Sequence, residues 1–309
     1  MRRKHEANTK DVIQKKNRYF TRNHLFQILN TKDLFTRAIA GTIYIIVILI
    51  GLLGGRFWFM PIFAAILGFG LYEFYRMVEK NTTHAISKIF NIFSGVLIFF
   101  TAFLFLEKIN LFAFPAAILA YLLALYMSAI IVNRYDILHA IIYSVFGQMY
   151  ITLPLCLLML LSYHFNLFDE KFHYVPGLAI FVFIWVNDTA AYFIGSLIGK
   201  HKFISRISPK KSVEGFIAGI VFTVIAGLIF AHLIPEYPTD FWVIFAFVVS
   251  IFGTLGDLFE SLIKRTYDLK DAGTLIPGHG GILDRIDSVL IALPASYLFL
   301  MAYFELAIR

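Results

Sequence analysis

Nine stretches of the chain stay apolar for 18 residues or more, near 34–54, 57–78, 86–106, 111–132, 137–162, 175–198, 213–234, 241–263 and 286–306. About 20 apolar residues suffice to cross a bilayer as a helix. In hydrocarbon every backbone N–H and C=O needs an internal partner, which leaves helices or closed barrels. The alternating pattern of a membrane β-barrel is absent. The chain is therefore expected to be an all-α polytopic membrane protein of about nine transmembrane helices. Its composition agrees, with 59% hydrophobic and 15% charged residues over 309 positions, against about 25% charged in a soluble domain. The single cysteine, Cys156, lies within an apolar run and can form no internal disulfide. It reads as a small buried hydrophobe.

The distribution of Lys and Arg orients these spans. Ten lie in the tail up to Arg37, and the connections after spans two, four, six and eight bring that side to 23 of the 27. The opposite side holds Arg56, Lys108, Lys171 and Arg309. The N-terminus is thus expected in the cytoplasm and the C-terminus outside, in the cell inner (plasma) membrane. The net charge of +7 gathers on the cytoplasmic face, where it can anchor the chain to anionic lipid or collect an anionic substrate. Residues 1–33 form a basic cytoplasmic tail and 34–309 the transmembrane domain. Phe20, Leu25, Ile28 and Leu29 can stripe a short interfacial helix in that tail, although a solvated arm suits it as well. Nothing there points to nucleic acid.

Spans one to five carry few ionisable side chains, and Glu73, near the end of span two, reads as a snorkelling or paired surface carboxylate. The polar content changes after residue 185. Asp188 sits about ten residues before the cytoplasmic end of span six, roughly 15 Å deep at 1.5 Å per residue. A carboxylate at that depth costs about 2.5–3.5 kcal/mol on insertion scales, so it needs a polar cavity, a partner or an ion. Ala191, Gly195 and Gly199 recur every four residues beyond it, a stripe suited to close helix packing.

Three further segments follow. Ser208-Pro209-Lys210-Lys211-Ser212 runs into span seven, where Ser208 or Ser212 can cap the helix with Pro209 in a first-turn position. Free N–H groups and lysines together suit a phosphate, although a capped basic loop would look the same. On span eight, Asp257, Glu260, Ser261 and Lys264 share one helical face. The next connection is rich in glycine around His279, and Asp284 and Asp287 stand one turn apart at the start of span nine. Oxygen donors of this kind suit Mg²⁺ over a soft metal. His279, alone and without cysteines, reads as a hydrogen-bonding loop residue.

From Ser261 to Asp287 the sequence resembles the phosphatidate cytidylyltransferase (CDP-diacylglycerol synthase) family. The family signature runs Ser-x-apolar-Lys-Arg, Lys-Asp-x-small, then Pro-x-His-Gly-Gly and Asp-Arg-apolar-Asp, and each fixed position is met. Asp188-Thr189 and Ser208-Pro209-Lys210-Lys211 look like family motifs too, so the catalytic part is expected at about 185–288. Ala190, Ser212 and Val213 depart from residues common in the family. The resemblance implies transfer of CMP from CTP to phosphatidate, giving CDP-diacylglycerol and pyrophosphate. It implies Mg²⁺ on Asp257 and Asp284, with Asp287 and Asp188 completing the acidic cluster. Ser261, Lys264, Arg265, Lys270, Asp271, His279 and Arg285 become the catalytic candidates. Ser208, Lys210, Lys211, Lys264 and Arg285 become the phosphate binders. A second, monovalent cation and a homodimer stay open.

The alternatives are a CTP-dependent enzyme for another lipid phosphate, such as an isoprenoid-ether phosphate, and a cation-coupled transporter using Asp188 and Asp257. Transporters tend to show repeats with broken helices in both halves, whereas here the polar residues crowd into the C-terminal half.

Overall fold

A computed structural model describes residues 31–80, 87–132, 137–164, 172–273, 275 and 280–308. Most of the basic tail, and His279, lie outside the described residues. The helices are α1 (Thr31–Leu53), α2 (Arg56–Lys80), α3 (Lys88–Leu106), α4 (Ala113–Val132), α5 (Ile137–Gly147) and α6 (Leu153–His164), followed by α7 (Val175–Ile198). Two short strands, β1 (Lys202–Ile204) and β2 (Ser208–Ser212), precede α8 (Val213–Leu233), α9 (Thr239–Thr266) and α10 (Leu283–Ile308). Among the described residues eight helical stretches are long and apolar enough to cross a membrane, with α5 and α6 counted as one. In α1 the apolar stretch is Ala38–Leu53. The protein is an integral membrane protein of helices, as the apolar runs require.

The fifth span is not a plain helix. A π turn over Gln148–Thr152 separates α5 from α6, and the Leu153 N–H donates to the Gln148 carbonyl five residues back. Pro154 has no N–H to give to the Tyr150 carbonyl, and its ring would crowd that carbonyl in a regular helix. Widening the preceding turn relieves the clash. Two polar side chains of the turn are held by hydrogen bonds: Gln148 Nε2 donates to the Asn91 carbonyl at 2.7 Å and Thr152 Oγ1 to Gln148 Oε1 at 2.7 Å.

The connection after α7 also differs from the loop expected. Lys200 to Ser212 folds into an antiparallel hairpin, with Lys202 opposite Ser212 and Ile204 opposite Ser208. Ser208 and Pro209 therefore lie in strand β2 and do not start a helix. Ser212 is the cap of α8, its Oγ accepting the Gly215 N–H at 3.2 Å. The Ala191–Gly195–Gly199 stripe packs as its small residues allow. A Cβ on Gly195 would stand 2.9 Å from Ser212 Oγ, and one on Gly215 would stand 2.6 Å from the Ala191 carbonyl.

Helices α9 and α10 cross equally closely. At the other end of the pair an aromatic cluster of Phe241, Trp242 and Phe245 is fully buried, with Phe299 of α10 against Phe241 and Phe245 at 5.5 and 5.7 Å between centroids. Nearer the acidic residues the helices touch backbone to backbone. A Cβ on Gly256 would lie 2.6 Å from the Asp287 carbonyl and 2.9 Å from Ser288 Cα. This contact sets Asp257 beside Asp287. Gly256→Ala should force the helices apart and destabilise the detergent-solubilised protein by about 1–3 kcal/mol, read as a lower melting temperature. An unchanged melting temperature would show that the crossing tolerates a methyl group.

Candidate active site

The site is assembled where α7, α9 and α10 meet, with the β-hairpin over one side. Asn187 is the polar hub of the α7–α9 contact: Ser250 Oγ donates to its Oδ1 at 2.6 Å, and its Nδ2 donates to Thr254 Oγ1 and to Asp188 Oδ1, both at 3.2 Å. Gly219 of α8 makes room for it, since a Cβ there would stand 2.5 Å from Asn187 Oδ1. The buried amide thus has partners on both ends, as a buried polar group must, and it fixes the direction of Asp188.

Asp188, Asp257 and Asp287 lie close enough for their charges to repel one another. Asp257 Oδ2 is 2.6 Å from Lys211 Nζ on the hairpin, and Ser261 Oγ reaches Asp257 Oδ1 only at 3.3 Å. Asp287 Oδ1 accepts the Ser288 N–H at 2.7 Å. Asp188, Asp284, Asp287, Arg285 and Ser288 line a cavity of about 220 Å³ whose other wall is Ala40, Gly41, Tyr44 and Ile45 of α1. Tyr44 also donates its hydroxyl to the Arg285 carbonyl at 2.9 Å. The first helix therefore joins a site that the sequence placed among the last four spans.

Lys264 is held between two carboxylates. Its Nζ is 2.7 Å from Asp284 Oδ1 and is paired with Glu260, whose side chain is fully buried. Asp284 also accepts the Ala272 N–H, at 3.0 Å to Oδ2, and the Gly281 N–H at 2.7 Å. Gly280 has φ +84°, and a Cβ there would meet Asp284 Oδ2 at 2.7 Å. Glycine is needed at that position on both counts.

The most distant contribution comes from Glu73. It is 1% exposed, and its Oε2 accepts the Leu283 N–H at 2.8 Å. Gly273 and Gly281 pack directly on its carboxylate. The surface role expected for Glu73 is therefore wrong. Helical spacing held a signal, because Ile66, Gly70 and Met77, on the same face of α2, are all buried. The partner, 210 residues away, was not visible.

The remaining expected residues are less convergent. Arg285 lines the cavity. Lys210 lies exposed on the hairpin, and Lys270 and Asp271 are exposed beyond α9. Arg265 is exposed and donates to the Leu269 carbonyl at 3.3 Å. Ser208 sits half-buried in β2.

Whether these residues suit a hard divalent cation can be judged from their donors. Asp188 and Asp287 each have Oδ1 engaged by a described donor, and both face the cavity. Their oxygen chemistry fits such an ion, whose charge would offset the mutual repulsion. Among the described residues no three His, Cys, Asp or Glu side chains are already gathered at ligating distance.

Acidic and basic side chains thus meet between the helices of an integral membrane protein, beside a cavity. The sequence model of the cytidylyltransferase family matches residues 35–303. The chain belongs to that family. It is 48% identical over 126 residues to a phosphatidate cytidylyltransferase of Bacillus subtilis (strain 168), a stretch covering 40% of this chain and 46% of the relative. Proteins of the same name from Staphylococcus saprophyticus (subsp. saprophyticus) and Staphylococcus haemolyticus are 44% and 42% identical over 128 residues, 41% of this chain and 48% of each relative. The matched stretch thus spans about half the length of these curated relatives.

Lys264→Met would leave Glu260 and Asp284 buried without their shared cation. Breaking a buried pair from one side costs about 3–5 kcal/mol, so a large fall in melting temperature is expected. Lys211→Met, at a more exposed pair, should change it little. Equal shifts in the two variants would mean that Lys264 is not held as described.

Proposed function

We propose that this protein transfers CMP from CTP to phosphatidate, with its site facing the cytoplasm of the inner membrane. The observation that supports this best is the meeting of Asp188, Asp257 and Asp287 with Lys211, Lys264 and Arg285 beside a cavity partly walled by apolar residues of α1 and α7. A phosphate carried on a lipid and a nucleoside triphosphate are both anions, and such a site can hold both. The names of the Bacillus and Staphylococcus relatives add the substrate class.

In this reading a phosphatidate oxygen attacks the α-phosphorus of CTP. The new O–P bond forms as the bond from the α-phosphorus to the bridging oxygen breaks, and pyrophosphate leaves with that electron pair. A phosphate monoester is ionised at neutral pH, so no strong base is required. Lys211, Lys264 and Arg285 would screen the phosphates and stabilise charge on the departing pyrophosphate. Ser261, next to Asp257, would orient a phosphate oxygen. Asp188, Asp257 and Asp287 would hold Mg²⁺, with Asp284 the fourth carboxylate of the cluster. Bound there, the ion would supply Lewis-acid stabilisation of phosphoryl charge.

Purified protein given labelled CTP, Mg²⁺ and a panel of lipid phosphates should label phosphatidate, and exclusive labelling of an isoprenoid-ether phosphate would replace that substrate. Asp257→Asn and Asp287→Asn should each lower kcat by about a hundredfold or more, since metal stabilisation is worth several kcal/mol. Their melting temperatures should not fall, because each substitution removes a like charge. Near-normal turnover in both would place the ion elsewhere.

The charge asymmetry of the loops supports the orientation. His201→Cys and Asn110→Cys occupy exposed connections. In intact cells an impermeant thiol reagent should label the position at 110 and spare that at 201. The reverse pattern would invert the topology.

A further inference from the structure

Helix α10 begins at Leu283; its first turn carries Asp284 and Arg285, and Asp287 opens the next. The first N–H groups of any helix lack intrahelical acceptors and need a cap. Here that acceptor does not come from the neighbouring sequence. Glu73, from near the end of the second span, takes the Leu283 N–H at 2.8 Å. A carboxylate suits this place because it meets both the orphan donors and the positive end of the helix dipole.

The fit around it is tight on two further sides. A Cβ on Gly281 would stand 2.3 Å from Glu73 Oε2, and one on Gly273 would stand 2.1 Å from Oε1. Both ends of the glycine-rich connection between α9 and α10 thus close on one buried carboxylate. Asp284 binds the same connection from its other side through Ala272 and Gly281. Between them the two carboxylates fix where the α10 turn lies relative to Lys264 and Asp257.

We propose that Glu73 is a positioning residue, capping α10 from α2 and so holding the start of that helix, with Asp284, Arg285 and Asp287, in register with α9. The catalytic half of this inference rests on the function proposed above; the structural half does not. Glu73 acts through the turn and not by touching substrate. Its removal should let the turn drift, and misplacement by about 1 Å can cost a hundredfold in rate.

Hydrogen–deuterium exchange on the full-length protein in detergent micelles tests the structural half without any substrate. In Glu73→Leu the amides of 281–285 should exchange at least tenfold faster than in the wild type, while amides in α3 and α4 stay unchanged. Glu73→Gln keeps a neutral acceptor of the same length and should fall between the two. Gly281→Ala, which pushes on the carboxylate from the loop, should loosen the same amides, and its effect should not add to that of Glu73→Leu. In CMP transfer from CTP to phosphatidate, Glu73→Leu should lower kcat at least tenfold with little change in KM for CTP, and Glu73→Gln should restore part of it. Wild-type exchange at 281–285 in Glu73→Leu, or a uniform rise across all helices in both Glu73 variants, would overturn the inference. A wild-type protein that transfers no CMP, yet shows the local exchange pattern, would overturn the proposed function and leave the cap standing.

Discussion

The ammonium of Lys264 between Glu260 and Asp284 is the interaction on which the rest of the site depends. A buried carboxylate without a partner is costly, and two of them beside one another are more so. Lys264 answers both at once. Because Glu260 and Lys264 are on α9 and Asp284 is on α10, the same pairing ties the two helices that carry the acidic cluster. Asp284 then spends its remaining acceptor capacity on the backbone of Ala272 and Gly281, so the connection between the helices is held by the pair that joins them.

Such a pairing is available only because the helices come unusually close. Gly256 against the Asp287 carbonyl, and Gly219 against Asn187, are contacts that any side chain would block. In a bilayer, apolar burial does little to press helices together, and small residues let backbones meet so that dispersion and hydrogen bonds do it instead. The polar contacts at these crossings, Ser250 and Thr254 with Asn187, are short-range and directional. Small residues thus set the distance, and the polar ones set the register.

The span count and the segments holding the acidic cluster were legible because they depend on local properties: apolar length, and the cost of a carboxylate at depth. Asp188, Asp257 and Asp287 were recognisable without any partner in view. What was not legible depended on contacts distant in sequence, or on a local effect that was outweighed. The π turn could have been anticipated from Pro154, but a proline in an apolar run also fits a simple kink. Ser208 and Ser212 were equally good caps on paper, and the pairing of β1 with β2 decided between them. Glu73 was misjudged because a carboxylate near the end of a span has an easy explanation at the membrane surface. Its true partner begins the last helix.

The two lysines of the cluster differ in a way that bears on how an anionic ligand could be received. The Lys211–Asp257 pair keeps 27% and 32% of its side-chain surface exposed, while Lys264 keeps 11%, Asp284 7% and Glu260 none. An exposed ion pair is worth about 0–1 kcal/mol, so Lys211 can leave Asp257 for a phosphate at little cost. Lys264 cannot, since its departure would strand two buried charges. Lys211 also sits on a two-stranded hairpin, a unit of low independent stability, whereas Lys264 sits on a long packed helix. The more exposed cation is thus mounted on the hairpin and the more buried one on the long packed helix. A site built this way can exchange one internal partner for a ligand while the geometry of its acidic centre stays in place.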